Sequence, residues 1–80
     1  MEWFTPSDST CVMRAGYDPG RRELHLIYEN GRHYVYRSAP KRVFRDLVET
    51  DRTGASVGQF VNWVVKPVLR DVVEVDDNRG

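Results

Sequence analysis

Cys11, His25 and His33 are the residues of this chain whose types allow nucleophilic or metal chemistry, and Tyr34, Tyr36 and a run of arginines are those suited to binding. A thiol becomes a nucleophile when a base stands beside it. Cys11 is a lone cysteine in a predicted strand, where that side chain ordinarily serves as a small buried apolar group. Zinc takes three or four protein ligands, and the two histidines have no evident third partner. They are expected to face solvent, and no metal site is assigned. The Gly-x-x-x-x-Gly-Lys phosphate loop, the Gly-x-Ser-x-Gly elbow and the His-Glu-x-x-His helix are all missing. The expectation is a non-catalytic protein without cofactor.

Binding has more to work with. Aromatic side chains on adjacent strands stack unpaired bases, each worth ~1–3 kcal/mol. Tyr34 and Tyr36 are candidates, with Arg32 and Arg37 flanking them as phosphate contacts, as in sheet-type RNA readers. The competing reading makes both tyrosines core residues under the helices, with hydroxyls at the rim. Net charge is zero, yet Arg14 to Arg45 holds eight bases against three acids, and the remainder from Asp46 holds four bases against seven acids. Ten of the twelve bases are arginine, the side chain shaped for phosphate and carboxylate, although a GC-rich genome produces the same bias. Arg32, Arg37, Lys41, Arg42 and Arg45 are the candidate nucleic-acid contacts. Lys41 and Arg42 fall in the first turn of a predicted helix, where positive charge opposes the dipole by ~0.3–1 kcal/mol each.

These residues need a scaffold, and eighty residues make one domain. No apolar run is long enough for a membrane span, and Met1 to Pro6 does not read as a signal peptide. A single cysteine rules out an intramolecular disulfide, so a reducing cytoplasm is expected. The predicted fold class is α+β: a three-stranded antiparallel β-meander followed by two short helices, with an extra C-terminal strand as an option. The domain spans 1–75, and 76–80 read as a disordered tail.

The first strand runs from Thr10 to Tyr17, with Gly16 marking a bulge. Asp18-Pro19-Gly20 is a turn. Glu23–Tyr28 and Arg32–Arg37 alternate as strands, joined by the hairpin signal Asn30-Gly31. A two-residue turn pairs Leu26 with Val35 and splits the apolar residues between faces. A three-residue loop with Gly31 in the left-handed region pairs Leu26 with Tyr34. It gathers Leu24, Leu26, Tyr28, Tyr34 and Tyr36 on one face, and sets Glu23 opposite Arg37. The second register is preferred, because it makes one clean apolar face.

Pro40 opens a helix whose buried stripe is Val43, Phe44, Leu47 and Val48. Thr50 to Ala55 reads as a polar loop. Ser56 to Gln59 is a capping box, starting a second helix that Pro67 stops at about Lys66. Val57, Phe60, Val61 and Val64 form its apolar side, and Trp63 is left unassigned. Val68 to Val75 has strand character. Trp3-Phe4 either covers a sheet edge or the helix pair, or stands exposed as a partner site.

Ser9-Thr10-Cys11-Val12, Ala15-Gly16-Tyr17-Asp18, Leu24 to Tyr28, Tyr34-Val35-Tyr36, Ala39-Pro40 and Ser56-Val57-Gly58-Gln59-Phe60-Val61-Asn62 together resemble the KTSC domain family. The likeness covers roughly Ser7 to Lys66, with a longer link from Glu49 to Ala55. It implies a small bacterial or phage domain, also found at the C-terminus of some lysyl-tRNA synthetases, for which RNA binding is the usual suggestion. Two expectations follow: an RNA- or tRNA-binding module, or a protein-interaction module. The second includes a homodimer using an open strand edge or the Ile27/Val35 face.

Overall fold

The hairpin adopts the three-residue loop. Gly31 lies at φ +87°, its N–H donates to the Tyr28 carbonyl at 2.9 Å, and the Tyr28 N–H donates to the Arg32 carbonyl at 2.9 Å. Leu26 therefore pairs with Tyr34 and Leu24 with Tyr36, which puts the whole apolar set on one face. The structure is a computed structural model and describes residues 1–7 and 11–75; the predicted tail at 76–80, and Thr10 at the expected strand start, lie outside that range.

The sheet is wider than the expected meander. Strands β1 (Glu2–Phe4), β2 (Val12–Asp18), β3 (Glu23–Tyr28), β4 (His33–Tyr36) and β5 (Val72–Val75) form an antiparallel sheet in sequence order. The three-strand meander is its centre, and Trp3-Phe4 and the C-terminal segment add an edge on either side. Between β4 and β5 lie α1 (Lys41–Arg52) and a second helical run: α2 (Val57–Phe60), a π-helical turn (Val61–Val65) and α3 (Lys66–Val68). The helices pack on the face carrying Ala15, Tyr17, Leu24, Leu26 and Tyr36, burying all five beneath Val43, Phe44, Leu47, Val57, Val61 and Val65. The Tyr17 hydroxyl donates to the Ala39 carbonyl at 2.6 Å and fastens the sheet to the entry of α1.

Several local expectations are corrected. The β2 bulge sits at Met13, where the pairing steps from Val12↔Tyr28 to Arg14↔Ile27. That extra residue lets Val12, Ala15 and Tyr17 all face the core despite their uneven spacing. Gly16 instead makes room for Trp3. A Cβ there would lie 2.6 Å from Trp3 Cε3, so the missing side chain is what lets the indole lie on the strand. Cys11 is exposed rather than buried.

Helix α1 continues through Thr50-Asp51-Arg52, residues expected in a loop. Gly54 at φ +87° closes it: the Gly54 N–H bonds Asp51 O and the Ala55 N–H bonds Thr50 O, both at 3.0 Å. This is the Schellman arrangement, which satisfies the last free carbonyls. The Asp51 carboxylate then accepts from the Ser7 N–H at 2.9 Å and from its hydroxyl, tying the N-terminal segment to the helix. At the other end Pro40 stands just before the first turn, at ψ 146°.

Ser56 Oγ accepts from the Gln59 N–H at 3.2 Å, as expected of a cap. The helix does not end before Pro67 but passes through it to Val68. Residues four apart advance about 40° past a full turn in an α-helix, so a stripe at that spacing drifts. The wider turn at Val61–Val65 opposes this drift, and Val57, Val61 and Val65 all stay buried. Val64, expected in the stripe, is correspondingly 36% exposed.

Candidate nucleic-acid interface

At the hairpin end of the sheet the helices stop short of the strands. Tyr36 is buried at 4% exposure under the helical layer, whereas Tyr34 and then Tyr28, further out towards the hairpin loop, are only half-buried. Their rings meet edge to face, with centroids 5.7 Å apart and planes at 87°. The second helical run ends here, and Leu69 is buried as its N–H bonds Val65 O at 2.8 Å. Between this crossing chain and the hairpin lies a groove of about 560 Å³. Tyr28, Tyr34 and Tyr36 line it together with Arg32 from the hairpin and Lys66 and Arg70 from the crossing chain, and no carboxylate is among its described lining residues.

The electrostatics of the groove follow from this placement. Burial pushes the Tyr28 phenol up to about 12, helped by Tyr36, Cys11 and Tyr34. Burial first, then Tyr34, raises Tyr36 as well. The groove's charge near neutral pH thus comes from its cations, with these two phenols neutral. The Arg32 guanidinium is held firmly charged by hydrogen bonding to Tyr34 and, secondarily, by Glu74, whose carboxylate lies 3.5 Å away. Because the Tyr28 pKa is higher folded than unfolded, its contribution to stability is complete below about pH 10. That contribution is lost as pH rises through about 12. An alkaline titration of phenolate absorbance should show this step last, and Tyr28→Phe should remove it; an unchanged high-pH step would contradict the assignment.

The five cations singled out from the sequence do not converge. Arg32 precedes β4 and Arg37 follows it, roughly 17 Å apart at strand rise. Arg37 binds the Asp71 carboxylate at 2.9 Å. Lys41 lies 3.8 Å from Glu2, and Lys41 and Arg45 border a shallow concavity whose other walls include Glu2 and Glu49. Arg42 is exposed on α1. Only Arg32 belongs to the groove. Lys66 and Arg70 escape sequence reasoning: Lys66 reads as an ordinary helix-end cation, and Arg70 sits among alternating valines. Their sole trace in the sequence is that one lies at the end of the second helix and the other just after it, where a chain returning to β4 must cross the sheet.

The opposite face holds the histidines, which lie there partly buried. Trp3, Gly16, His25, Val35 and Val73 form one row across the sheet, and Arg14, Ile27, His33 and Val75 the next. The Arg14 guanidinium stacks 4.5 Å from the Trp3 ring, whose edge meets His25. His25 Nδ1 and His33 Nε2 are 2.9 Å apart, with ring centroids at 5.1 Å. That centroid separation is close to the N···N distance plus a ring radius on each side, so the nitrogens point along the line joining the rings. This is hydrogen-bond geometry; two nitrogens bound to one tetrahedral zinc at ~2.0–2.1 Å would stand roughly 3.3 Å apart. Glu23 Oε1 lies 3.4 Å from His25 Nε2, a long contact. Among the described residues no group of three or more His, Cys, Asp or Glu could hold a metal ion.

A groove of tyrosines and cations at the open end of a five-stranded antiparallel sheet, with two helices across one face, defines a small α+β domain with a concavity at the hairpin end. The KTSC domain family model matches residues 8–68, and the chain belongs to that family. A protein of Tsukamurella paurometabola, named simply "Protein", is 40% identical over 67 residues, covering 84% of this chain and 94% of that one. The crystal structure of KTSC domain protein YPO2434 from Yersinia pestis is similar at a TM-score of 0.68 and 25% identity, over 91% of this chain and 97% of that one. Among the described residues no helix is long and apolar enough to cross a membrane.

Proposed function

We propose that this KTSC domain is a non-catalytic module that binds single-stranded RNA in the tyrosine groove. The observation that carries the reading is the joining of an aromatic lining, Tyr28, Tyr34 and Tyr36, to three cations, Arg32, Lys66 and Arg70, in one concavity. Unpaired bases stack on aromatic faces while cations take the phosphates, and neither contact demands a particular sequence. A zero net charge is no obstacle, since counterion release depends on the cations that meet phosphates rather than on the total. Duplex is disfavoured, because its bases are already stacked on each other. Labelled single-stranded RNA should bind at low salt more tightly than the same sequence as duplex. Its log affinity should fall with log salt at a slope of about −2, from three phosphate contacts at ~0.7 each. Salt-independent binding, or a preference for duplex, defeats the reading.

A second reading has its own support. Strand β5 is an edge whose four residues are all exposed, with Val73 and Val75 at 40% and 37% on the histidine face. Unpaired strand edges recruit further strands, including those of a second copy. Val35, at 5% exposure, is already covered, so the edge is a better site for self-association than the Ile27/Val35 face. Sedimentation velocity across a range of concentrations should show concentration-dependent dimerisation that Val73→Lys abolishes. A monomer at all concentrations counts against it.

A further inference from the structure

Beside the tyrosine groove lies a second concavity of about 300 Å³, lined by Cys11, Tyr28, Glu29 and Asn30. Tyr28 and Asn30 line both, so the two hollows adjoin along these residues. Their charges differ. The groove gathers Arg32, Lys66 and Arg70, whereas the smaller hollow carries the Glu29 carboxylate. Glu29 forms no ion pair among the described residues; Arg32, close to it in sequence, is 3.5 Å from Glu74 instead. An unpaired carboxylate next to a phosphate-binding groove repels a nucleic acid, unless the ligand brings N–H donors to it.

Asn30 presents the complementary group. Its Oδ1 accepts from the Arg32 N–H at 3.0 Å, which leaves the NH2 of the amide as the group free for a ligand. The Glu29 N–H is bound to the Cys11 carbonyl at 2.9 Å, so the loop backbone is tied down on both sides of this pair. Consecutive residues therefore offer a two-oxygen acceptor and an N–H donor. Guanine is the RNA base whose Watson–Crick edge matches: N1–H and the N2 amine are adjacent donors for a carboxylate, and O6 beside them accepts. Adenine, cytosine and uracil each have a single donor group on that edge.

We infer that the hollow beside Tyr28 is a guanine-reading subsite, in which Glu29 accepts from N1–H and the N2 amine and Asn30 donates to O6. Tyr28 is the wall against which the base rests, and the strand's phosphates lie with Arg32, Lys66 and Arg70. The inference rests on the single-strand reading of the groove and deepens it, from unpaired RNA in general to unpaired RNA with a guanosine at one place. Single-stranded bases are read on this edge elsewhere, and a two-pronged contact to a base discriminates by about 5- to 150-fold.

The test uses the full chain and short labelled oligouridylates carrying one central guanosine, adenosine, cytidine or inosine, measured by anisotropy at low salt. The guanosine strand should bind about 5- to 150-fold more tightly than the adenosine and cytidine strands. Inosine, which lacks the N2 amine, should fall between them. Glu29→Gln, at an exposed side chain, should erase the preference for guanosine without weakening the adenosine strand. Equal affinity for all the strands overturns this inference and leaves the groove reading standing, as does a guanosine preference that Glu29→Gln preserves. No salt-sensitive binding of any strand overturns both. Guanosine monophosphate binding as tightly as the guanosine strand keeps the guanine site and overturns the strand reading.

Discussion

Reversing the two cations on the crossing chain, with Lys66→Glu and Arg70→Glu together, is expected to abolish measurable single-stranded RNA binding at moderate salt while the protein stays folded. Both side chains are exposed, and neither has a carboxylate partner within salt-bridge distance among the described residues. Nothing in the core depends on them. Neutralising them would remove about two of the three phosphate contacts; reversing them adds repulsion against the strand, focused in a concavity that also holds Arg32. The same reversal at Lys41 and Arg42 should change affinity far less. Lys41 is engaged with Glu2, and both lie at the other end of β4 from the groove. Comparing the two double variants by anisotropy, with thermal melts as a folding control, checks the prediction. Equal losses from both pairs would mean that the whole basic surface binds diffusely.

Leu26→Ala should have the largest effect on stability. Leu26 is fully buried at the centre of the sheet, between Ala15 on one side and Tyr34 on the other. Removing a leucine side chain from such a place costs about 2–5 kcal/mol, combining lost transfer energy with the cavity left behind. A domain of eighty residues has little to spare. With a melting shift of roughly 4–8 °C per kcal/mol at this size, a fall of at least about 8 °C is expected, and outright unfolding near the upper end. The measurement is a circular-dichroism melt. A shift of only a few degrees would indicate that helices and sheet repack around the vacancy. Ile27→Ala, one residue along and on the opposite face, should cost less because that side chain is already partly exposed.

The contrast between these two positions shows what can be read from the chain. The central hairpin is legible because Asn30-Gly31 allows just two registers, and only one puts Leu24, Leu26, Tyr28, Tyr34 and Tyr36 on a common face. That single choice also places His25 and His33 as diagonal neighbours. Helix ends are less legible. Thr50-Asp51-Arg52 are polar and look like a loop, yet they are one more turn of α1, and the informative residue is Gly54 beyond them. Pro67 reads as a stop, but the wide turn before it lets the chain pass. The β2 bulge lies at Met13 and not at Gly16, because a glycine in a strand has two explanations. The relevant one, an indole lying on it, depends on the distant Trp3.

The candidate site is legible in part. Tyr34, Tyr36 and Arg32 stand out as neighbours, since they lie close together on one hairpin. Whether the tyrosines are core or surface cannot be decided from alternation, and the structure gives each a different answer: Tyr36 is buried, and Tyr34 is half-exposed at the groove. Lys66 and Arg70 join them only through the tertiary path of the chain after the second helix. Arg37, Lys41, Arg42 and Arg45 look like partners because they are close in sequence. A strand reverses that expectation, since five residues carry the chain to the opposite end of the sheet.

The groove carries the functional reading, and mapping amide chemical shifts while titrating single-stranded RNA tests it most directly. The largest changes should gather at Tyr28, Arg32, Tyr34, Lys66, Leu69 and Arg70. A response centred instead on Lys41, Arg42 and Arg45, or no response at low salt, would contradict it.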